Sequence, residues 1–258
     1  MVSYLKNIAK RVLSFFGIHL TQNQRYDALT LKVMKRIIKQ DSNCVDIGCH
    51  KGEVMDDILR LAPKGHHFAF EPIPELFDAL KKKYNGNVSV HQIALSDRPG
   101  VTSFHHVLSN PAYSGIRKRS YQQKENIRKI EVPKAKLDDL LPKNTTIDLI
   151  KIDVEGAEYE VLKGAVNTIA TQKPVIIFEH GLGASDHYGT TPEMLFDFLS
   201  EECGLSVSLL DEYVDSGKNL SRKQFCEQFY EGLNYYFVAH PTSGNPISKK
   251  KEAAHVAL

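Results

Sequence analysis

From Cys44 onward, short apolar runs rich in β-branched and aromatic residues alternate with segments whose apolar residues return every three or four positions. Runs of the first kind predict strands and those of the second predict helices. The strand candidates are Cys44–Ile47, His67–Glu71, Val88–Ala94, Asp148–Asp153, Val175–Glu179, Ser206–Leu210 and Tyr235–Ala239. Between them the spacing predicts helices over Val54–Leu61, Pro74–Lys83, Ala157–Ala170, Pro192–Glu202 and Ser221–Phe229. Such alternation implies an α/β fold with a parallel sheet covered by helices on both faces. The last two strand candidates are separated by a charged, helix-containing stretch and are expected to form an antiparallel edge pair.

Two segments precede this body. Tyr4, Leu5, Ile8, Val12, Phe15 and Phe16 fall on one helical face, with cations opposite and Gly17 as a stop. Packing or partner contact suits that face, including a homodimer contact; so does a membrane interface. A second helix is expected from Tyr26 to Lys39, with Leu29, Val33, Ile37 and Ile38 inward. Residues 103–130 break the alternation: they are polar and basic, with turn signals at Asn110, Pro111 and Gly115. Long connections of this kind usually carry function, and this one is expected to cover the ligand face. Residues 242–258, with Lys249, Lys250 and Lys251, read as a disordered tail. The expected organisation is a helical extension (1–40), one domain (41–241) with an insert (103–130), and the tail.

Composition narrows the class. The 258 residues are 42% hydrophobic and 25% charged, as in ordinary soluble domains, and the net charge of +2 makes no case for nucleic acid. The charge is uneven, however. In residues 1–40, Asp27 is the sole acid among many lysines and arginines; residues 117–136 are opposed only by Glu125 and Glu131. Such patches meet anionic ligands or lipid surfaces, or are simply solvated faces. The 4 cysteines include no closely spaced pair, which disfavours zinc ribbons and redox pairs. A reducing, cytoplasmic setting follows, with peripheral membrane contact through the basic first helix as its variant. No apolar run approaches the roughly 20 residues of a spanning helix, and Lys6, Lys10 and Arg11 argue against a signal peptide.

The chemistry concentrates at strand ends. Val45-Asp46-Ile47-Gly48-Cys49-His50-Lys51-Gly52-Glu53 reads as a strand entering a glycine turn and leaving as a helix. Its two glycines are spaced G-x-x-x-G after an acid, unlike the G-x-G-x-x-G of diphosphate binders. Acids follow at the ends of later strands: Glu71, Asp97, Asp153 with Glu155, and Glu179 beside His180. Parallel strands place these ends on one rim, where ligands of open α/β sheets bind. Glu71, about 20 residues past the glycine turn, suits the two hydroxyls of a ribose. Single acids here have plainer readings. Glu155 fits a helix cap, Glu158 a favourable place in a helix's first turn, and Lys151 a partner for a neighbouring acid.

Val45–Glu53, Phe70-Glu71-Pro72, Ala94-Leu95-Ser96-Asp97, Leu137-Asp138-Asp139-Leu140-Leu141 and, above all, Ile150-Lys151-Ile152-Asp153-Val154-Glu155-Gly156-Ala157-Glu158 resemble the FkbM family of S-adenosylmethionine-dependent methyltransferases. The resemblance runs from about Asp41 to Pro241. It implies a Rossmann-like class I methyltransferase fold, a seven-stranded, mostly parallel sheet with an antiparallel last strand. It further implies methyl transfer from S-adenosyl-L-methionine to a hydroxyl of a sugar, glycan or natural product. By position, Asp46, Gly48 and Gly52 would line the methionine part, Glu71 would hold the ribose, and Asp97 with the backbone near Ala94 would meet the adenine. Cys49, His50, Glu53, Pro72, Ser96 and Asp153 complete the expected cofactor-binding set. His50-Lys51 departs from the small or apolar residues common in this turn of the family.

For catalysis, one expectation makes His180 the base, with Asp153, Glu155 and Lys151 around it. The other has Asp153, Glu179 and His180 hold a divalent cation. Arg117, Lys118 and Arg119 in the insert suggest an anionic small-molecule or glycan acceptor. Three rivals are an inactive cofactor-binding interaction module, a nicotinamide oxidoreductase, which the glycine spacing disfavours, and a nucleic-acid methyltransferase. The last lacks an N-P-P-Y-like motif and a recognition domain, so a nucleic-acid partner is not expected.

Overall fold

A computed structural model describes residues 21–109, 111–117 and 125–242. The expected first helix, Lys118, Arg119 and the tail lie outside the described residues. In chain order the elements around the site are α1 (Gln22–Ile37), β1 (Cys44–Ile47), α2 (Glu53–Leu61), β2 (His67–Phe70), α3 (Pro74–Lys83) and β3 (Val88–His91). Then come β4 (Ala94–Leu95), β5 (Gly100–Val107), β6 (Ile127–Ala135), α4 (Leu137–Leu140), β7 (Leu149–Ile152), α5 (Glu158–Lys163) and α6 (Val166–Gln172). The last are β8 (Val175–Glu179), α7 (Pro192–Asp197), β9 (Leu205–Leu209), α8 (Leu210–Asp215), α9 (Arg222–Tyr230) and β10 (Tyr236–Pro241).

The main sheet has 7 strands in the order β3-β2-β1-β7-β8-β10-β9. β1, β2, β3, β7 and β8 run parallel, and β10 runs antiparallel to both its neighbours. The strand order reverses beside β1, the position at which open sheets of this class leave a crevice. Strands β1, β2 and β7 are buried along their whole length, as a sheet covered on both sides requires. Alternate residues feed two cores. Val45, Ile47, Phe70, Ile150 and Phe178 pack with Val161, Leu195 and Phe225 of α5, α7 and α9. Cys44, Ala69, Leu149 and Ile177 pack on the other face with Met34, Met55 and Leu80 of α1, α2 and α3.

The antiparallel pair is present, but its edge member is β9; β10 fills the slot between β8 and β9. Phe237, Val238 and Ala239 are fully buried on both faces, which suits an interior strand. The single strand expected over Val88–Ala94 is two. After β3 the chain leaves the main sheet, and β4 joins a 3-stranded sheet in the order β4-β6-β5. The stretch read as a loop thus contains most of an antiparallel hairpin, β5 with β6, whose exposed charged residues masked its strand character. The helix expected over Ala157–Ala170 is also two, broken at Gly164. A Cβ there would lie 2.1 Å from the Ser96 carbonyl oxygen, so close approach of β4's exit sets the break. The helix expected over Pro192–Glu202 ends in a π turn, Phe198–Glu202.

α1 is capped by Thr21, whose side chain accepts from the Gln24 N–H, and it is tied to the far end of the chain. The Tyr26 hydroxyl donates to Asn234 (3.0 Å) and accepts from the Tyr235 N–H (3.3 Å), while its ring stacks on Tyr236. Arg25 pairs with Asp211 and Arg36 donates to the Val214 carbonyl. Among the described residues no helix is long and apolar enough to cross a membrane.

Candidate active site

A cleft of about 730 Å³ opens at the carboxyl ends of β1, β2 and β7, walled by α1 and by the hairpin insert. Its floor is the glycine turn. Gly48 takes a φ of +78°, and a Cβ there would sit 1.8 Å from the Asp153 carbonyl oxygen. Only glycine lets β1 and β7 close on each other at that point. Its N–H and that of Cys49 both donate to the Phe70 carbonyl, which joins the turn to β2. Gly52 caps α2 but does not line the cleft; the Tyr84 hydroxyl donates to its carbonyl (2.7 Å) and occupies the space of any side chain.

His50 follows in the left-handed region at φ +50°, and its N–H donates to Glu71 Oε2 (2.9 Å). Glu71 Oε1 accepts from the Ile73 N–H (2.9 Å). The carboxylate is therefore clamped by two backbone amides, one from each side. Burial pushes its pKa up to about 7, against those two bonds. A carboxylate offers about four lone-pair sites, so one remains on each oxygen. His50 thereby acts through its backbone. Burial lowers its imidazole pKa.

Beyond Glu71 the cleft turns apolar, lined by Pro72, Ile73, Ile93, Ala94, Leu95, Phe104 and Ile116. Such walls suit a flat heterocycle. Ser96 and Asp97, expected in this group, are not among the lining residues. The Ser96 N–H is spent on the Ala135 carbonyl, and Asp97 pairs with Lys163 of α5 at 3.0 Å.

Across β1 the cleft is polar. Lys151 Nζ lies 2.8 Å from Asp153 Oδ2, which also accepts from the Tyr236 hydroxyl (2.5 Å). Burial opposes the charge on both, but Asp153 and Asp46 raise Lys151, and Lys151, Tyr236 and Glu179 hold Asp153 low. Burial and then the Asp153 charge push the Glu179 pKa well above the usual carboxylate range. Asp46 is 1% exposed, and its Oδ2 has no partner among the described residues. Burial raises its pKa, with Lys151 and the Cys49 thiol opposing.

Glu155 lines the cleft at φ +60°. The N-cap of α5 is Ala157, with no side-chain cap hydrogen bond; Glu158, in that helix's first turn as expected, braces the preceding turn, its Oε1 accepting from the N–H groups of Val154 and Gly156. His180 is not brought to the cleft. It is 1% exposed and stacked on Phe229 (4.7 Å) and Phe225 (5.9 Å), with burial lowering its pKa to about 3. The expected cation triad is accordingly not assembled. Among the described residues no three His, Cys, Asp or Glu side chains gather to hold a metal, and the Lys151 ammonium takes the place beside Asp153. Arg117 of the insert is committed as well: it donates to the His187 carbonyl and lies over the Tyr188 ring.

Among the lining residues not singled out as site residues from the sequence are three polar ones: Asp27 and Thr30 of α1, and Tyr236 of β10. For Asp27 a signal existed, as the sole acid of the first 40 residues. Tyr236 carried none, because a tyrosine in a buried strand reads as core.

Comparison with known proteins agrees with this layout. The methyltransferase FkbM domain profile matches residues 46–207. The chain belongs to the methyltransferase FkbM family. It is 33% identical over 229 residues to the hexuronic acid methyltransferase AglP of Haloferax volcanii, covering 87% of this chain and 89% of AglP. It is 29% identical over 164 residues to the 2-O-methyltransferase NoeI of Sinorhizobium fredii, covering 54% of this chain and 65% of NoeI, just under two thirds. In fold it resembles the crystal structure of methyltransferase FkbM from Methylobacillus flagellatus KT, with a TM-score of 0.50 and 14% identity. That likeness covers 79% of this chain and 44% of the other. The FkbM profile includes the glycine turn, Glu71 and the Lys151–Asp153 pair; α1 and β10, which bring Asp27 and Tyr236, lie outside it.

Proposed function

We propose that the protein transfers a methyl group from S-adenosylmethionine to a hydroxyl of a sugar or glycan. The observation that carries this reading is Glu71. A buried carboxylate with both oxygens fixed by backbone amides, and one lone-pair site free on each, is prepared for two vicinal hydroxyls. The apolar wall beyond it fits an adenine, and the orphan Oδ2 of Asp46 fits a cationic ligand end. The sugar acceptor is supported by the names of the relatives, one a hexuronic acid methyltransferase and the other a 2-O-methyltransferase.

When bound, S-adenosylmethionine supplies a methyl group on a sulfonium, already activated for transfer. What remains for the protein is alignment of the acceptor oxygen and removal of its proton. Asp153 is the ionised carboxylate of the polar end, held in place by Lys151 and Tyr236. In this reading it accepts the acceptor's hydroxyl hydrogen, and Lys151 balances its charge. His180, enclosed by Phe225 and Phe229, takes no part.

Titration calorimetry with S-adenosylhomocysteine, followed by labelled-methyl transfer to a panel of uronic acids, neutral sugars and oligosaccharides, tests the reading. Binding and labelling of a sugar hydroxyl are expected. Asp153→Asn should lower kcat by about a hundredfold, in the range of lost acid–base catalysis. Absence of S-adenosylhomocysteine binding would overturn the reading.

A further inference from the structure

The polar end of the cleft holds more acid than its cations neutralise. Asp27, Asp46, Glu53 and Asp153 line it, and Lys151 is the cation among them. Lys151 is already paired with Asp153. Like charges gathered in a partly dry site are costly unless a cation joins them.

Asp27 makes no hydrogen bond to the other members of this group. Burial, and then the Asp153 and Glu53 charges, push its pKa up, and Lys151 opposes them through space. Its position is not loose. Tyr26, the preceding residue, is pinned to Asn234 and Tyr235 and stacked on Tyr236. Asp46, in the same cleft, contributes an independent sign of a missing partner: a carboxylate oxygen that is buried and unsatisfied.

Placement identifies the partner. Glu71 and the apolar wall lie on the β2 side of β1, and Lys151 and Asp153 on the β7 side. A nucleoside held at Glu71 therefore extends its 5′ substituent across β1 toward Asp27. In the methyl donor that substituent ends in an amino acid, whose ammonium supplies the cation. We infer that Asp27, carried by a helix outside the family match, binds the ammonium of the donor's amino-acid end. This rests on the cofactor reading proposed above and names a binding residue for it.

The test measures binding of two probes to the full-length wild type and to Asp27→Asn. S-adenosylhomocysteine carries the amino-acid end; 5′-deoxy-5′-methylthioadenosine keeps the nucleoside and thioether without it. The substitution should weaken S-adenosylhomocysteine by about tenfold, as loss of a charge-assisted hydrogen bond does. Methylthioadenosine should change by less than about twofold, which also shows that the variant is folded. Equal weakening of both probes, or no weakening of either, would overturn the role of Asp27 while leaving the cofactor reading standing. If the wild type bound neither probe, the cofactor reading itself would fall.

Discussion

Glu71 and Glu158 show how two similar side chains come to different ends. Each is buried and takes two backbone N–H groups, and burial pushes each pKa up to about 7. Glu71 opens on the cleft, whereas Glu158 spends one oxygen on Val154 and Gly156 and leaves Oε2 buried without a partner. Glu158 is thus a buried group that braces the turn before α5 and resists ionisation. Its pKa is 4.5 when unperturbed and higher in the folded chain, so the stability it contributes is full below about pH 4.5 and is lost as the pH rises through about 7. Glu158→Gln keeps the accepting oxygen and cannot ionise. Denaturant unfolding should find it close to wild type near about pH 5, and more stable by on the order of a few kcal/mol near about pH 8. Parallel pH profiles for the two proteins would refute the assignment. From sequence, Glu71 read as a strand-end acid placed for a ribose, and Glu158 as an acid in a helix's first turn, where the structure has it. The helix-cap reading of Glu155 was less secure, because its role depends on which turn the backbone takes at φ +60°.

At the scale of elements, α1 does what a peripheral helix is not expected to do: it forms a wall of the cleft. Its anchor is the Tyr26 hydroxyl, which serves Asn234, Tyr235 and Gln22 together. Tyr26→Phe removes the partner of Asn234 Oδ1 and of the Tyr235 N–H and should cost about 1–3 kcal/mol. Hydrogen exchange should then quicken across Gln22–Ile37 while the sheet stays protected. Uniform quickening across the fold would mean that the helix does not open as a separate unit. By contrast, Ser221→Ala in the capping box of α9 should lower stability by about 1 kcal/mol and leave S-adenosylhomocysteine binding unchanged. A change in that affinity would show that α9 communicates with the cleft. The periodicity of α1 was plain in the sequence, and so was its inward apolar face. That the same helix also lines the cleft was not, because Asp27 and Thr30 sit among residues whose spacing speaks only of packing.

Over the whole molecule, the parallel strands and their helices were legible because the buried strands are short, mainly apolar runs that alternate with helical periodicity. The strand order was less so. Local pattern cannot say that β10 enters between β8 and β9, since that depends on the path of a connection through α8 and α9. A chain ending after Leu233 would leave β8 and β9 with unpaired edges facing an empty slot. Expressed that way, it should partition to the aggregated fraction, as unpaired edges do, whereas the chain through Thr242 should stay soluble. Soluble, S-adenosylhomocysteine-binding material from the shorter chain would contradict this.

Insertion of β10 into an interior position also fixes when the cleft is completed. Domains assemble as the ribosome releases them, amino-terminal parts first. Here Tyr236, the partner of Asp153, and the tyrosine pair that pins α1 arrive with β10. The glycine turn and Glu71 emerge earlier, so a nascent chain short of β10 holds an unfinished cleft. Its polar end is completed when residues 236–241 slide home, and any catalysis waits on that strand.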